Sequence, residues 1–159
     1  MDSREHLVVW LNDAYAMEKA LEETLESHAK DAEGDPDVHA RILRHIDETR
    51  EQAQTMRECV ESLGGSVSGA KSVVGNLFGT GQAVFNKPLK DTLVKNALAD
   101  YAAEHFEIAC YRALIEAAHS LGEDAIAARL TPILRQEEDM ARFLEERLPM
   151  TVRAALAKG

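Results

Sequence analysis

Four long stretches of helical periodicity, joined by a short, a long and a short connection, predict an all-α four-helix bundle with one long crossover between helices 2 and 3. Competing strand signals are few. A third observation sets this bundle apart: Glu18, Glu104 and Glu137 fall at positions that the periodicity assigns to the core.

The first helix is expected over about residues 3–31, with a seam of Leu7, Leu11, Ala14, Glu18, Leu21, Leu25 and His28 at alternating spacings of three and four. The second, over about 36–64, takes Asp35 as N-cap and Pro36 at its first position, and runs out at Gly64-Gly65. Its seam is Ile42, Ile46, Thr49, Ala53, Met56, Val60 and Leu63. The third, over about 89–121, carries Val94, Ala97, Tyr101, Glu104, Ile108, Tyr111, Ile115 and Ala118, and Gly122 closes it. The fourth, over about 123–147, carries Leu130, Leu134, Glu137, Ala141, Leu144 and Leu148. Pro132 is expected either to kink this helix or to mark its true start, because proline removes a backbone donor and crowds the preceding turn.

Residues 64–88 form the long connection, rich in Gly and Ser around a short apolar piece, Val73-Val74-Gly75-Asn76-Leu77-Phe78. Helices of ~20 residues are about 30 Å long, so neighbours in an up-and-down bundle need only a few linking residues. A connection of this length suits a return along the bundle, which leaves helices 2 and 3 parallel. That is the ferritin-like topology, expected here as a single domain over residues 1–159. The apolar piece and Gln82 to Phe85 are candidate contact surfaces or a cover over the bundle.

The chain of 159 residues, 45% of them hydrophobic, can close one apolar core. Its formal charge of −10, from 18 basic against 28 acidic residues, opposes phosphate backbones and anionic lipid surfaces, so neither nucleic acid nor membrane is an expected partner. The first residues lead directly into an amphipathic segment without a basic and apolar leader pattern, and no apolar run is long enough to span a bilayer. Cys59 and Cys110 lie apart among apolar neighbours and read as small core residues, consistent with a cytoplasmic setting.

A buried, ionised carboxylate without a partner costs several kcal/mol, so it is protonated, paired with a cation or bound to metal. Glu18, Glu104 and Glu137 each sit near mid-helix, where an antiparallel bundle brings side chains to one height. They are expected within roughly 8 Å of one another if they bridge two metals. Glu107, one turn after Glu104, joins them as the expected mobile ligand, and His45, Glu48 and Gln52 form an edge stripe on the second helix. Nearby bases such as Lys19, Arg44 and Arg142 are expected to face outward. Oxygen ligands with at most one imidazole suit iron or manganese rather than structural zinc. His6, His39 and His119 read as surface residues, while His28 and His105 fit either side.

The segments 13–19 (Asp-Ala-Tyr-Ala-Met-Glu-Lys), 45–52 (His-Ile-Asp-Glu-Thr-Arg-Glu-Gln) and 104–111 (Glu-His-Phe-Glu-Ile-Ala-Cys-Tyr) resemble the bacterial YciE/YciF-type ferritin-like proteins. The resemblance covers nearly the whole chain. It implies a rubrerythrin-like bundle, a dinuclear metal site, a homodimer and a link to stress responses. Carried over, it points to Glu18, Glu48 with His45, Glu104, Glu107 and Glu137 as metal ligands. The chain departs from the Glu-x-x-His pattern on helices 2 and 4: three residues after Glu48 stands Glu51, and three after Glu137 stands Met140.

The expected function is a di-iron or manganese carboxylate protein with peroxidase- or oxidase-like handling of peroxide or oxygen. Tyr15, Tyr101 or Tyr111 would supply a hydrogen bond or an electron. The alternative is a metal-free helical homodimer acting as a stress-related interaction protein with its inner glutamates protonated or paired. Iron storage is a third reading and requires a cage-like oligomer.

Overall fold

The computed structural model describes residues 2–67 and 91–158, and over these the chain forms four helices: α1 (Ser3–Asp31), α2 (Pro36–Ser62), α3 (Thr92–Ser120) and α4 (Asp124–Ala157). Local chemistry fixes their ends. Asp2 and Glu5 form a reciprocal capping box that satisfies two free N–H groups at the start of α1. The Asp35 carboxylate accepts from the Val38 N–H, with Pro36 in the first turn where its missing donor does no harm. Helices α2 and α3 both end in a left-handed glycine, Gly64 at φ 80° and Gly122 at φ 73°. The following N–H groups, of Gly65 and Glu123, turn back to the carbonyls of Val60 and Ala118.

The end of the last helix differs from the sequence-based expectation. Helix α4 does not stop at 147 but continues to Ala157, and it begins at Asp124, so Pro132 does not mark its start. Both Pro132 and Pro149 lie within it on the exposed face. The carbonyls they leave unpaired belong to Ala128 and Glu145, also exposed residues, where water can replace the lost bond.

Cross-helix pairs give the directions. Along α2, His39, Arg50 and Arg57 meet Ala29, Glu22 and Tyr15 of α1 in reverse order, so these helices are antiparallel. Asn96, Asp100 and Tyr111 of α3 likewise meet Asp31, His28 and Glu18 of α1. Helices α2 and α3 are therefore parallel, as the ferritin-like topology requires. Arg147, Glu137 and Arg129 of α4 meet Asp35, Gln52 and Glu58 of α2, which sets α4 antiparallel to α2. The crossover expected over 64–88, its apolar piece and Gln82 to Phe85 fall almost wholly outside the described residues.

The apolar core is divided. One block, including Leu7, Leu11, Met56, Val60, Leu114 and Leu130, fills the end near the start of α1. A second, including Leu25, Ile42, Ile46, Met140 and Leu144, fills the other. Glu18, His45, Thr49, Gln52, Glu104, Glu107 and Glu137 are all buried as well; along their helices Thr49, Gln52 and Glu137 lie between residues of the two blocks, and the others stand near that boundary. Packing on either side thus removes water from a layer of ionisable groups.

Candidate metal centre

Each helix delivers its polar group through the same heptad spacing that delivers its leucines. On α1, Glu18 follows Leu7, Leu11 and Ala14 on the buried face; on α3, Glu104 and Glu107 precede Ile108 and Tyr111; on α4, Glu137 lies between Ile133 and Met140. Helix α2 is turned further inward than the periodicity suggests. His45, Glu48 and Gln52 are at most 8% exposed, so the expected edge stripe is part of the interior.

Four groups converge. One ligand atom from each of His45, Glu104, Glu107 and Glu137 lies within 4.8 Å of the others. His45 Nε2 is 2.8 Å from Glu104 Oε1 and 3.7 Å from Glu137 Oε2. Glu107, in the same group, is near enough to Glu137 and Glu18 for their charges to act on it. Glu18, fully buried, is next to this group rather than within it, and its Oε1 accepts a hydrogen bond from the Tyr111 hydroxyl.

Glu48, expected among the ligands, is placed behind His45. Its Oε2 is 2.9 Å from His45 Nδ1, while Oε1 takes the Arg44 Nε at 3.1 Å and Arg41 approaches to 3.5 Å. Burial opposes ionisation of Glu48, but His45 and the two arginines outweigh it and hold its carboxyl below the ordinary carboxylate value. An ionised Glu48 fixes the Nδ1 proton and ring angle of His45 and leaves Nε2 facing the carboxylates. Gln52 does the corresponding work for Glu137, donating Nε2 to its Oε1 and, at 3.0 Å, to Gln136.

The electrostatics are those of acids crowded away from water. Burial, with Glu137 adding to it, pushes the Glu18 carboxyl up to about 8, against the Tyr111 hydrogen bond and the nearby His45. Burial and neighbouring carboxylates hold Glu107 well above its ordinary value, and burial does the same for Glu104 although His45 opposes it. Burial alone would depress His45, yet Glu104, Glu48 and Glu137 raise it well above the usual imidazole value. Among the described residues, Glu18 Oε2, Glu104 Oε2, Glu137 Oε2 and Gln52 Oε1 are buried without a hydrogen-bond partner. Unpartnered carboxylate oxygens buried in one layer are costly unless they are protonated or neutralised by a cation.

The remaining expectations separate cleanly. Lys19, Arg44 and Arg142 face solvent. His6, His105 and His119 are exposed, His39 is half-buried with Nδ1 on the Ala29 carbonyl, and His28 is buried 2.7 Å from Asp100. Tyr15 is held by Arg57 and Tyr101 packs edge-on against His105, so of the three tyrosines Tyr111 reaches the carboxylates. Burial raises both thiols, Cys110 to about 11, which makes them poor nucleophiles. Sequence reasoning missed Asp100 and Arg41. Asp100 stands four residues before Glu104 on one stripe and could have been found as a partner for seam His28; Arg41 stands seven before Glu48, and only the inward turn of α2 makes it near.

The fold and the central layer define an all-α, ferritin-like bundle with a buried imidazole and carboxylate cluster of a kind that could hold metal. The chain belongs to the family described as a domain of unknown function, DUF892, which matches residues 2–157. It is similar to a protein of known structure from Xanthomonas campestris pv. campestris, at 38% identity over 99% of this chain and 98% of that one, with a TM-score of 0.84. The Escherichia coli stress protein YciF shares the fold at 23% identity, over 96% of this chain and 98% of that one, with a TM-score of 0.84. An archaeal Dps homologue from Halobacterium salinarum matches at 26% identity over 92% of this chain and 81% of that one, with a TM-score of 0.75. The likeness to YciE/YciF-type ferritin-like proteins thus holds across the chain. Among the described residues, no helix is long and apolar enough to cross a membrane.

Proposed function

We propose that the cluster binds two divalent ions, iron or manganese, and that the protein handles peroxide or oxygen under stress. The observation that carries this reading is the convergence of His45, Glu104, Glu107 and Glu137 from three helices, with buried carboxylate oxygens left unpartnered. The donor set fits in charge as well. Glu18, Glu104, Glu107 and Glu137 together carry four negative charges when ionised, which two divalent cations neutralise. Hard oxygen donors and one imidazole suit iron and manganese. Bound ions would supply Lewis-acid and redox chemistry. The protein's own part is to bind and orient: Glu48 aims His45, Gln52 aims Glu137, and the two apolar blocks exclude water.

Metal content measured on protein purified without chelator and then loaded anaerobically with ferrous iron is expected to approach two ions per chain. Less than about 0.2 ion per chain would sink the reading, because a site of this kind fills by mass action. Glu48→Ala is expected to weaken manganese binding by about 10–100-fold without abolishing it, since the imidazole remains but loses its anchor. Unchanged affinity in a calorimetric titration would remove the orienting role. A cytoplasmic homodimer is part of the same proposal, and sedimentation equilibrium reads the copy number.

A further inference from the structure

We propose that the two ion positions are unequal, and that Tyr111 is the positioning residue for the weaker one, holding Glu18 so that its free oxygen faces a cation. The inference rests on the metal reading above. His45, Glu104, Glu107 and Glu137 already offer converging donors, and the only imidazole of the cluster is among them. That imidazole is anchored from behind by Glu48. A second ion would have to draw on Glu18, which lies beyond the converging group and brings no second imidazole with it. Its position would be the weaker.

The state of Glu18 is specific. The side chain is 0% exposed; Oε1 accepts from Tyr111, and Oε2 is buried without a hydrogen-bond partner. Tyr111 is itself 0% exposed and packed into the first apolar block, so its hydroxyl is held in place by the ring. A carboxylate pinned through one oxygen presents the other in a fixed direction, and such an outer hydrogen bond raises affinity by limiting the orientations the ligand must give up. Removing the Tyr111 hydroxyl therefore frees Oε1 and takes away the contact that aims this ligand. Glu107, which converges with Glu137 and is close enough to feel the charge of Glu18, makes the two positions adjacent.

The test is a calorimetric titration of manganese into chelator-stripped wild type, Tyr111→Phe, Glu18→Gln and the double variant. Wild type should show two resolved steps. Tyr111→Phe should weaken the second step by about 10–100-fold and leave the first unchanged. Glu18→Gln should affect the same step, and the double variant should lose little more than Glu18→Gln alone, since both act through one contact. Should Tyr111→Phe fail to fold, Glu18→Gln decides: loss of the weaker step alone supports the proposal, and equal loss of both overturns it. Equal weakening of both steps by Tyr111→Phe, or of neither, also overturns it. A single ion per wild-type chain removes the second position while metal binding stands, whereas no ion at all removes both.

Discussion

Metal-free protein is expected to melt at a lower temperature at pH 8 than at pH 5.5, and manganese-loaded protein is expected to show the larger metal-induced gain at pH 8. The Glu18 carboxyl, ordinarily near 4.5, is raised to about 8 by burial and by Glu137, and Glu104 and Glu107 are displaced in the same direction. An unfolded chain releases these protons near the ordinary value, while the folded chain keeps them as the pH rises further. Between the two values the folded state binds more protons, so the unfolding free energy falls with pH. His45 acts in the same sense: its folded value is raised, and the stability it contributes below the ordinary imidazole value is lost as the pH climbs through the folded one. Glu48, held low, opposes only at more acidic pH.

Each unit of displacement corresponds to about 1.4 kcal/mol for an isolated group. Mutual repulsion prevents simple addition, so a drop on the order of 5 °C is expected for a chain of this size. Metal reverses the trend because it competes with protons for the same oxygens, and its affinity rises as they leave. Scanning calorimetry with chelator and with manganese at the two pH values measures both slopes. The formal charge of −10 also works against stability as acids ionise, so Glu107→Gln is the control: it should flatten the metal-free slope while changing the overall charge by one at most. A metal-free profile that rises with pH would mean that the layer is already ionised and paired.

What could be read from the chain follows from what repeats. The seams of α1 and α3 brought Glu18, Glu104 and Tyr111 to the interior as expected because a heptad of small and branched apolar residues leaves little freedom in helix rotation. The short and long connections gave the parallel arrangement of α2 and α3, since helix length fixes how far a link must travel. Helix α2 was harder. Its charged residues at 44, 47, 48, 50 and 51 surround a thin apolar seam, and periodicity alone left His45, Glu48 and Gln52 at its margin. Only their partners on α3 and α4 show that the helix turns them inward. Whether a side chain faces the centre of the layer or stands behind it is likewise not a property of spacing: His45 and Glu48 are one turn apart, and their places separate through Glu104 on one side and Arg41 and Arg44 on the other. The end of α4 lies ten residues beyond the expected 147, with Pro149 on its exposed face.

Replacing Glu107 with Leu is expected to stabilise metal-free protein by about 1–4 kcal/mol and to abolish stabilisation by metal. Glu107 is 2% exposed, and burial, Glu137, Glu104 and Glu18 all raise its carboxyl, so its largest influences disfavour the charged form. A leucine of similar volume in this layer relieves the desolvation and the repulsion at once, and it joins the apolar contacts around Ala103 and Tyr111 on the same helix. The glutamate is then explained by binding rather than by folding. Thermal melts with chelator and with manganese separate the readings. A metal-dependent protein should show a higher metal-free melting temperature for Glu107→Leu and no further rise on loading, where wild type rises. A metal-free interaction protein would show the same gain in the variant but no metal response in wild type. A loss of more than about 2 kcal/mol in metal-free Glu107→Leu would show instead that the carboxyl is needed for folding, and the case for Glu107 as a ligand would fall with it.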